Sequence, residues 1–172
     1  MVKARWLTSR EQAVWRRFIY ATGKFFEELE RELQRDSNMP MTYYTILVEL
    51  SEAPNRTMRM SDLAERCRSS RSKLSHAVAR LEATGWIRRE GCPSDKRGAY
   101  AVLTDAGFTA LENAAPGHVN MVRKHLFDVL TEEQLDQLEQ ICLAIEKGLD
   151  NAIGTEDPCP GAARSDPRST SA

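Results

Sequence analysis

The sequence predicts a mainly α-helical protein that carries one small β-hairpin. Three observations lead there. Long segments near both ends of the 172-residue chain repeat apolar residues every three or four positions, the spacing of one helix face. Two short helical stretches lie between them, separated by a few polar residues. Two strand-like runs, WIRRE and AYAVLT, then flank a turn-rich, charged tip, GCPSDKRG, the pattern of a hairpin.

Each element has a local reason. EQAVWRRFIYATGKFFEELERELQRD reads as one long helix with Val14, Phe18, Ala21, Phe25, Leu29 and Leu33 on its apolar face. Thr8 with Glu11, or Ser9 with Gln12, offers a capping box, and Asn38 to Pro40 end it. MTYYTILVELSEAP is a shorter, more apolar helix closed by Pro54 and Asn55. RTMRM is too short for an independent strand and is expected to pair with the hairpin. SDLAERCR gives two helical turns with Ser61 as N-cap. In SSRSKLSHAVARLEATG, Ser70 fits the N-cap and Gly85 the left-handed position after the helix. Leu74, Ala77, Val78 and Leu81 share one face of it, and Arg71, Ser72, Ser75, His76 and Ala79 the other. From Asp105 to Leu130 a helical pattern returns with Phe108, Leu111, Ala115, His118, Val122 and Val129, and Pro116-Gly117 is expected to kink or break it. Thr131 with Gln134 caps a last amphipathic helix carrying Leu135, Leu138, Ile141, Cys142, Ile145 and Leu149. Residues 154–172, rich in Pro, Ser, Gly and Ala, are expected to be a disordered tail.

Composition narrows the function. No apolar run reaches the roughly 20 residues of a membrane span, and MVKARWLTSREQ lacks the apolar core of a signal peptide, so a cytoplasmic protein is expected. The four cysteines are scattered, without a CxxC pair, which argues against a zinc knuckle. His118 and His125 lie two helical turns apart, too far for one metal ion. Neither metal nor cofactor is expected. GxSxG, HExxH, P-loop and dinucleotide-binding patterns are missing, and the acids of TEEQLDQLEQ alternate with leucines as a solvated helix face does, so an enzyme is not expected. The net charge of −1 conceals a segregation: residues 56–101 hold eleven Lys/Arg against five Asp/Glu, and the remainder thirteen against twenty. A basic middle in an acidic chain suggests one anion-facing surface.

Two short helices joined by a tight turn, followed by a hairpin with a basic tip, make a winged helix-turn-helix. A helix fits the major groove of duplex DNA, and its first turns reach base edges. Here those turns display Ser70, Arg71, Ser72, Lys73, Ser75 and His76, with Arg80 one turn further. The hairpin tip would bring Lys96 and Arg97 to the adjacent minor groove, where negative potential is concentrated, with Asp95 orienting the guanidinium. Side chains alternate along a strand, so only one of Arg88 and Arg89 is expected to face phosphate. Arg68 reads equally as a phosphate contact or a solvated side chain.

MSDLAERCRSSRSKLSHAVARLEATGWIRRE followed by SDKRGAYAVLTDAG resembles the MarR family (multiple antibiotic resistance regulators) over about residues 10–150. The wing D-x-R followed by LTDAG is the most specific part. The resemblance implies a homodimeric, ligand-responsive transcriptional regulator, most often a repressor, on a palindromic operator. It implies one domain over residues 1–153, with dimerisation helices at about 9–37 and 105–152, a DNA-binding lobe at about 56–103, and Arg97 in the minor groove supported by Asp95. Phe25, Phe26, Leu29, Val129, Leu135, Leu138, Ile141 and Ile145 are apolar beyond what one small lobe covers, which points to a second copy.

A small aromatic or amphipathic effector would sit between the helical base and the DNA-binding lobe, lined by Trp15, Tyr20, Tyr43, Tyr44 and His118. These residues equally fit ordinary packing, and His118 a satisfied core histidine. Cys67 and Cys92 lie near basic residues or a helix end, which lowers a thiol pKa, so an oxidation-sensing regulator is an alternative. A winged-helix adaptor for protein contacts, without DNA binding, is another.

Overall fold

The computed structural model describes residues 4–92 and 95–153, with backbone alone at residues 92, 95–97 and 151–153. Helix α1 (Ser9–Ser37) and α2 (Met41–Ser51) are followed by strand β1 (Thr57–Arg59), helices α3 (Met60–Arg66) and α4 (Arg71–Ala83), strands β2 (Ile87–Cys92) and β3 (Asp95–Leu103), and helices α5 (Asp105–His125) and α6 (Glu132–Ile153). Mainly α-helical with a small wing, this is the fold class the sequence predicts. Two compact units divide between Asp128 and Val129. Among the described residues no helix is long and apolar enough to cross a membrane.

The expected Thr8–Glu11 capping box opens α1. Thr8 Oγ1 accepts from the Glu11 amide at 3.2 Å, and the Glu11 carboxylate accepts from the Thr8 amide at 2.6 Å. Asn38, left-handed at φ 48°, closes the helix. Only the second half of the apolar stripe is covered: Leu29 and Leu33 are buried, while Val14 and Phe18 stay exposed. Leu29, expected to need a second copy, is therefore covered within its own chain, because α1 packs there on α5.

The core lies beneath α4. Ile46, Leu47 and Leu50 of α2, Leu63 of α3, Leu74, Val78 and Leu81 of α4, and Ile87 of β2 are almost fully buried. Each such side chain contributes about 1.5–3 kcal/mol on leaving water. The three strands form an antiparallel sheet in the order β1-β3-β2. Met58 and Arg89 both pair with the fully buried Ala101 of β3, so RTMRM joins the hairpin as expected.

Both ends of α4 are specified locally. Ser70 Oγ accepts from the Lys73 amide at 3.3 Å. At the other end Gly85 has φ 77°, and the Trp86 and Gly85 amides return to the Leu81 and Glu82 carbonyls, each at 3.0 Å, a Schellman closure. Helix α3 closes the same way with Arg68 in the left-handed position at φ 47°, its amide and that of Ser69 bonded to Glu65 and Ala64 at 2.9 Å. Its start differs from expectation: Arg59 is the N-cap and its side chain does not cap the helix, and Ser61 lies inside the helix, bonded to Asp62 Oδ1 at 2.8 Å.

The LTDAG segment joins α4 to α5. Thr104 Oγ1 donates to the Gly85 carbonyl at 2.7 Å, lies 3.0 Å from the Trp86 carbonyl, and accepts from the Gly107 amide at 3.0 Å. A Cβ on Gly107 would stand 2.2 Å from the Trp86 carbonyl oxygen, so this position admits no side chain. Arg56 adds a second tie, 3.2 Å from Asp105 Oδ1 and 3.7 Å over the Phe108 ring.

Helix α5 runs unbroken from Asp105 to His125 with Pro116 inside it, so the break that the sequence allowed as one alternative does not occur. Proline forfeits one backbone bond there, and packing on both sides holds the helix together: Ala114 and Met121 are buried. His118 packs tilted against Tyr44 of α2, with ring centroids 4.5 Å apart and planes at 42°.

In the second unit, Thr131 and Gln134 form the expected capping box, at 3.0 and 3.3 Å. Ile141, Ile145 and Leu149 of α6 are exposed. The expected tail, residues 154–172, falls outside the described residues.

Two outcomes follow from this packing. Gly107→Ala forces backbone apart at the α4–α5 junction and is expected to lose about 1–3 kcal/mol or more in urea unfolding; unchanged stability would contradict the close approach. Burial holds the His118 imidazole below its ordinary value, so the unfolded chain binds the extra proton first. The stability carried by the neutral ring is complete above the unfolded value of about 6.5 and is lost as pH falls through the folded pKa. His118→Leu is therefore expected to flatten the decline in stability below about pH 6.5, and an identical pH profile would remove His118 as its source.

Candidate nucleic-acid interface

Burial of Leu74, Ala77, Val78 and Leu81 turns the opposite face of α4 outward. Arg71, Ser72, Lys73, His76 and Arg80 are exposed there, and Ser75 is half-buried. The first-turn amides of α4 lie at the positive end of its dipole, where anions are favoured. All seven predicted recognition residues, Ser70, Arg71, Ser72, Lys73, Ser75, His76 and Arg80, thus belong to one helix and its cap, and only Ser75 is turned partly inward.

A concavity of about 520 Å³ opens beside this helix. It is lined by Arg59, Met60 and Ser61 at the start of α3, Arg71 and Ser75 of α4, and Arg89, Gly98 and Ala99 of the hairpin. Three arginines therefore border one hollow between the helix and the wing. Its shape comes from the sheet: β1 brings Arg59 alongside Tyr100, whose ring lies 5.7 Å from the guanidinium.

The basic segment is less available than its residue count suggests. Arg56 pairs with Asp105, Arg66 with Glu49 at 2.6 Å, Arg88 with Glu90, and Arg89 with Glu82 at 3.5 Å. Among the described residues Arg71, Lys73 and Arg80 have no acidic partner within ion-pair distance. The outward face of α4 is thus a candidate anion-facing surface.

Arg88 and Arg89 separate as strand alternation requires. Arg88 is exposed beside Glu90. Arg89 shares the face of buried Ile87 and reaches α4, where its Nη2 donates to the Ser75 carbonyl at 2.7 Å. The remaining predicted DNA contacts, Asp95, Lys96 and Arg97, lie on the β3 backbone, and their side chains fall outside the described residues.

The proposed effector lining does not assemble in one chain. Tyr44 and His118 meet, and Tyr43 packs half-buried on the core. Trp15 and Tyr20 are 54% and 70% exposed on the first half of α1. Fourteen residues separate Trp15 from Leu29, about 21 Å along a helix. The hollow at His118, bordered by Leu29, Glu32, Leu33, Asp36 and Met121, measures about 10 Å³, room for about one water molecule and not for an aromatic ligand.

Cys67 is also unlike the expected reactive thiol. Half-buried against the core, its thiol is pushed up to about 11 by burial first and the Glu49 carboxylate second, against the lowering effect of Arg66. Neighbouring arginine alone suggested the opposite, because burial is invisible in a short stretch of sequence. The side chain of Cys92 lies outside the described residues. No cluster of three metal-ligating side chains occurs among the described residues.

Comparison with known proteins places this geometry. A family model described as MarR family matches residues 37–98. Sco3205, a MarR family transcriptional regulator from Streptomyces coelicolor whose crystal structure is in complex with DNA, is 52% identical, with a TM-score of 0.82 over 87% of this chain and 93% of that one. AbsC, a MarR family transcriptional regulator from the same organism, is 41% identical, with a TM-score of 0.80 over 86% and 99%. The HTH-type transcriptional regulator PecS of Dickeya dadantii is 32% identical over 80 residues, 46% of this chain and 48% of PecS. With the wing, the capped α4 and the LTDAG junction in place, and with such identity extending along nearly the whole of two relatives, this chain belongs to the MarR family of transcriptional regulators.

Proposed function

We propose that the protein is a ligand-responsive repressor that binds a palindromic DNA operator as a homodimer in the cytoplasm. One observation carries the DNA reading: the exposed first turns of α4 hold Arg71, Lys73 and Arg80 without acidic partners beside a hollow bordered by arginine. Sco3205, 52% identical, has been crystallised with DNA, which supports the same partner here. Base edges would meet Ser72, Ser75 and His76, whose short or planar side chains allow close approach. Arg71 would take guanine or phosphate, and Arg97, with Asp95, the minor groove.

Exposed apolar surface supports the dimer. Trp15, Phe18, Ile19 and Phe26 of α1, and Ile141, Ile145 and Leu149 of α6, are each 46–61% exposed. Covering these seven half-exposed side chains on both copies, at about half of 1.5–3 kcal/mol each, offers about 10–20 kcal/mol against an association cost of about 4–15 kcal/mol. A two-fold pair would set two α4 helices about 34 Å apart, one turn of DNA. Ligand response and repression rest on family membership. Any aromatic or amphipathic effector would need a seat completed by the second copy, since the His118 hollow is too small. An adaptor role would leave the unpaired cations of α4 without purpose, and oxidation sensing is not supported at Cys67.

The test begins with duplexes enriched by the purified protein from a random-sequence library. Arg71→Ala and Arg97→Ala are each expected to weaken binding by about 1–3 kcal/mol and to leave the dimer intact in sedimentation equilibrium. Full affinity in both variants would remove α4 and the wing from the interface. A monomeric wild-type protein at micromolar concentration would sink the palindromic reading.

A further inference from the structure

Arg89, one of the arginines bordering the hollow, is tied to α4 at two places. Strand β2 is an edge of the sheet. The Arg89 amide donates to Glu82 Oε1 of α4 at 3.2 Å. Its guanidinium turns the same way: Nη2 donates to the Ser75 carbonyl at 2.7 Å, and Nε stands 3.5 Å from Glu82 Oε2. The side chain is 30% exposed, against 57% for Arg88. Ser75 and Glu82 are two helical turns apart, about 10 Å along α4. A single strand residue thus grips the helix along two turns.

We infer that Arg89 is a positioning residue that locks the wing to the recognition helix and so sets sequence selectivity. This rests on the reading of α4 and the wing as the DNA-contacting pair. A groove-reading helix and a minor-groove arginine gain together only if their separation matches the separation of the grooves. Fixing the angle in the free protein avoids ordering it on binding. A loosened brace leaves each element able to meet phosphate, so non-specific affinity persists while selectivity declines. A phosphate contact behaves differently. Its loss weakens every duplex alike and lowers the log–log salt slope by about 0.9, and a lysine, itself a phosphate-binding cation, restores it.

The experiment uses Arg89→Met, Arg89→Lys and Glu82→Met in the full chain. Hydrogen exchange without DNA is expected to quicken across residues 86–91 in Arg89→Met. Binding to an enriched duplex is expected to lose about tenfold in preference over a scrambled duplex, as loss of a charged hydrogen bond implies, with the salt slope unchanged and little rescue by lysine. Glu82→Met is expected to bind scrambled duplex at least as well as wild type, having lost an acid, yet to share the loss of preference. Unchanged exchange in Arg89→Met, or a shallower salt slope with full rescue by lysine, would overturn the brace. Should Arg89→Met fail to fold, the lysine and Glu82 variants carry both readouts. If the wild-type protein enriches no duplex at all, the DNA reading fails, and hydrogen exchange still judges the brace.

Discussion

One-sided burial of α4 is the constraint on which the rest depends. Leu74, Val78 and Leu81 are at most 1% exposed, and they fix the helix in rotation about its own axis. Any turn away from that setting brings leucine to water at about 1.5–3 kcal/mol per side chain. The orientation of Arg71, Ser72 and His76 is the mirror of this burial. Local chemistry settles where the helix begins and ends: Ser70 caps the first turn, and left-handed Gly85 closes the last. Thr104 and side-chain-free Gly107 then hold the start of α5 against that closing turn. The outward face of α4 and the long helix behind it are thereby joined through a few close contacts with little slack.

Charge acts on top of this frame, and placement matters more than number. Residues 56–101 carry eleven basic side chains, but several of them work within the fold. Arg56 anchors α5, Arg66 joins α3 to Glu49 of α2, and Arg89 joins β2 to α4. Exposed ion pairs of this kind are individually weak, about 0–1 kcal/mol, so their effect is geometric more than energetic. Among the described residues Arg71, Lys73 and Arg80 of α4 are left without an acidic partner, and the helix N-terminus adds its own positive potential there.

Much of this was legible in the sequence because it is written locally. Caps at Thr8, Ser70 and Thr131, the left-handed Gly85 and the apolar face of α4 are all decided within a few residues. The pairing of β1 was visible only as an expectation, since a three-residue strand needs a partner. Features set by distant packing were read less well. Ser61 looked like a cap, yet the turn into α3 begins earlier, at Arg59. Pro116 allowed a break, yet burial of Ala114 and Met121 holds α5 together. Neighbouring arginine suggested a reactive Cys67, whereas burial raises its pKa. The aromatic residues grouped as an effector lining share a composition but not a place, because α1 carries Trp15 far beyond His118. The role of Arg89 was half visible: alternation put it opposite Arg88, and its kinship with buried Ile87 on the same face was the signal pointing inward.

Amide chemical-shift mapping of the isotopically labelled protein titrated with duplex DNA tests the central claim most directly. Shifts confined to the first turns of α4, the turn before it and the wing, with α1 and α6 silent, are the expected result. Perturbation centred on the exposed aromatic half of α1, with residues 70–80 unmoved, would contradict it.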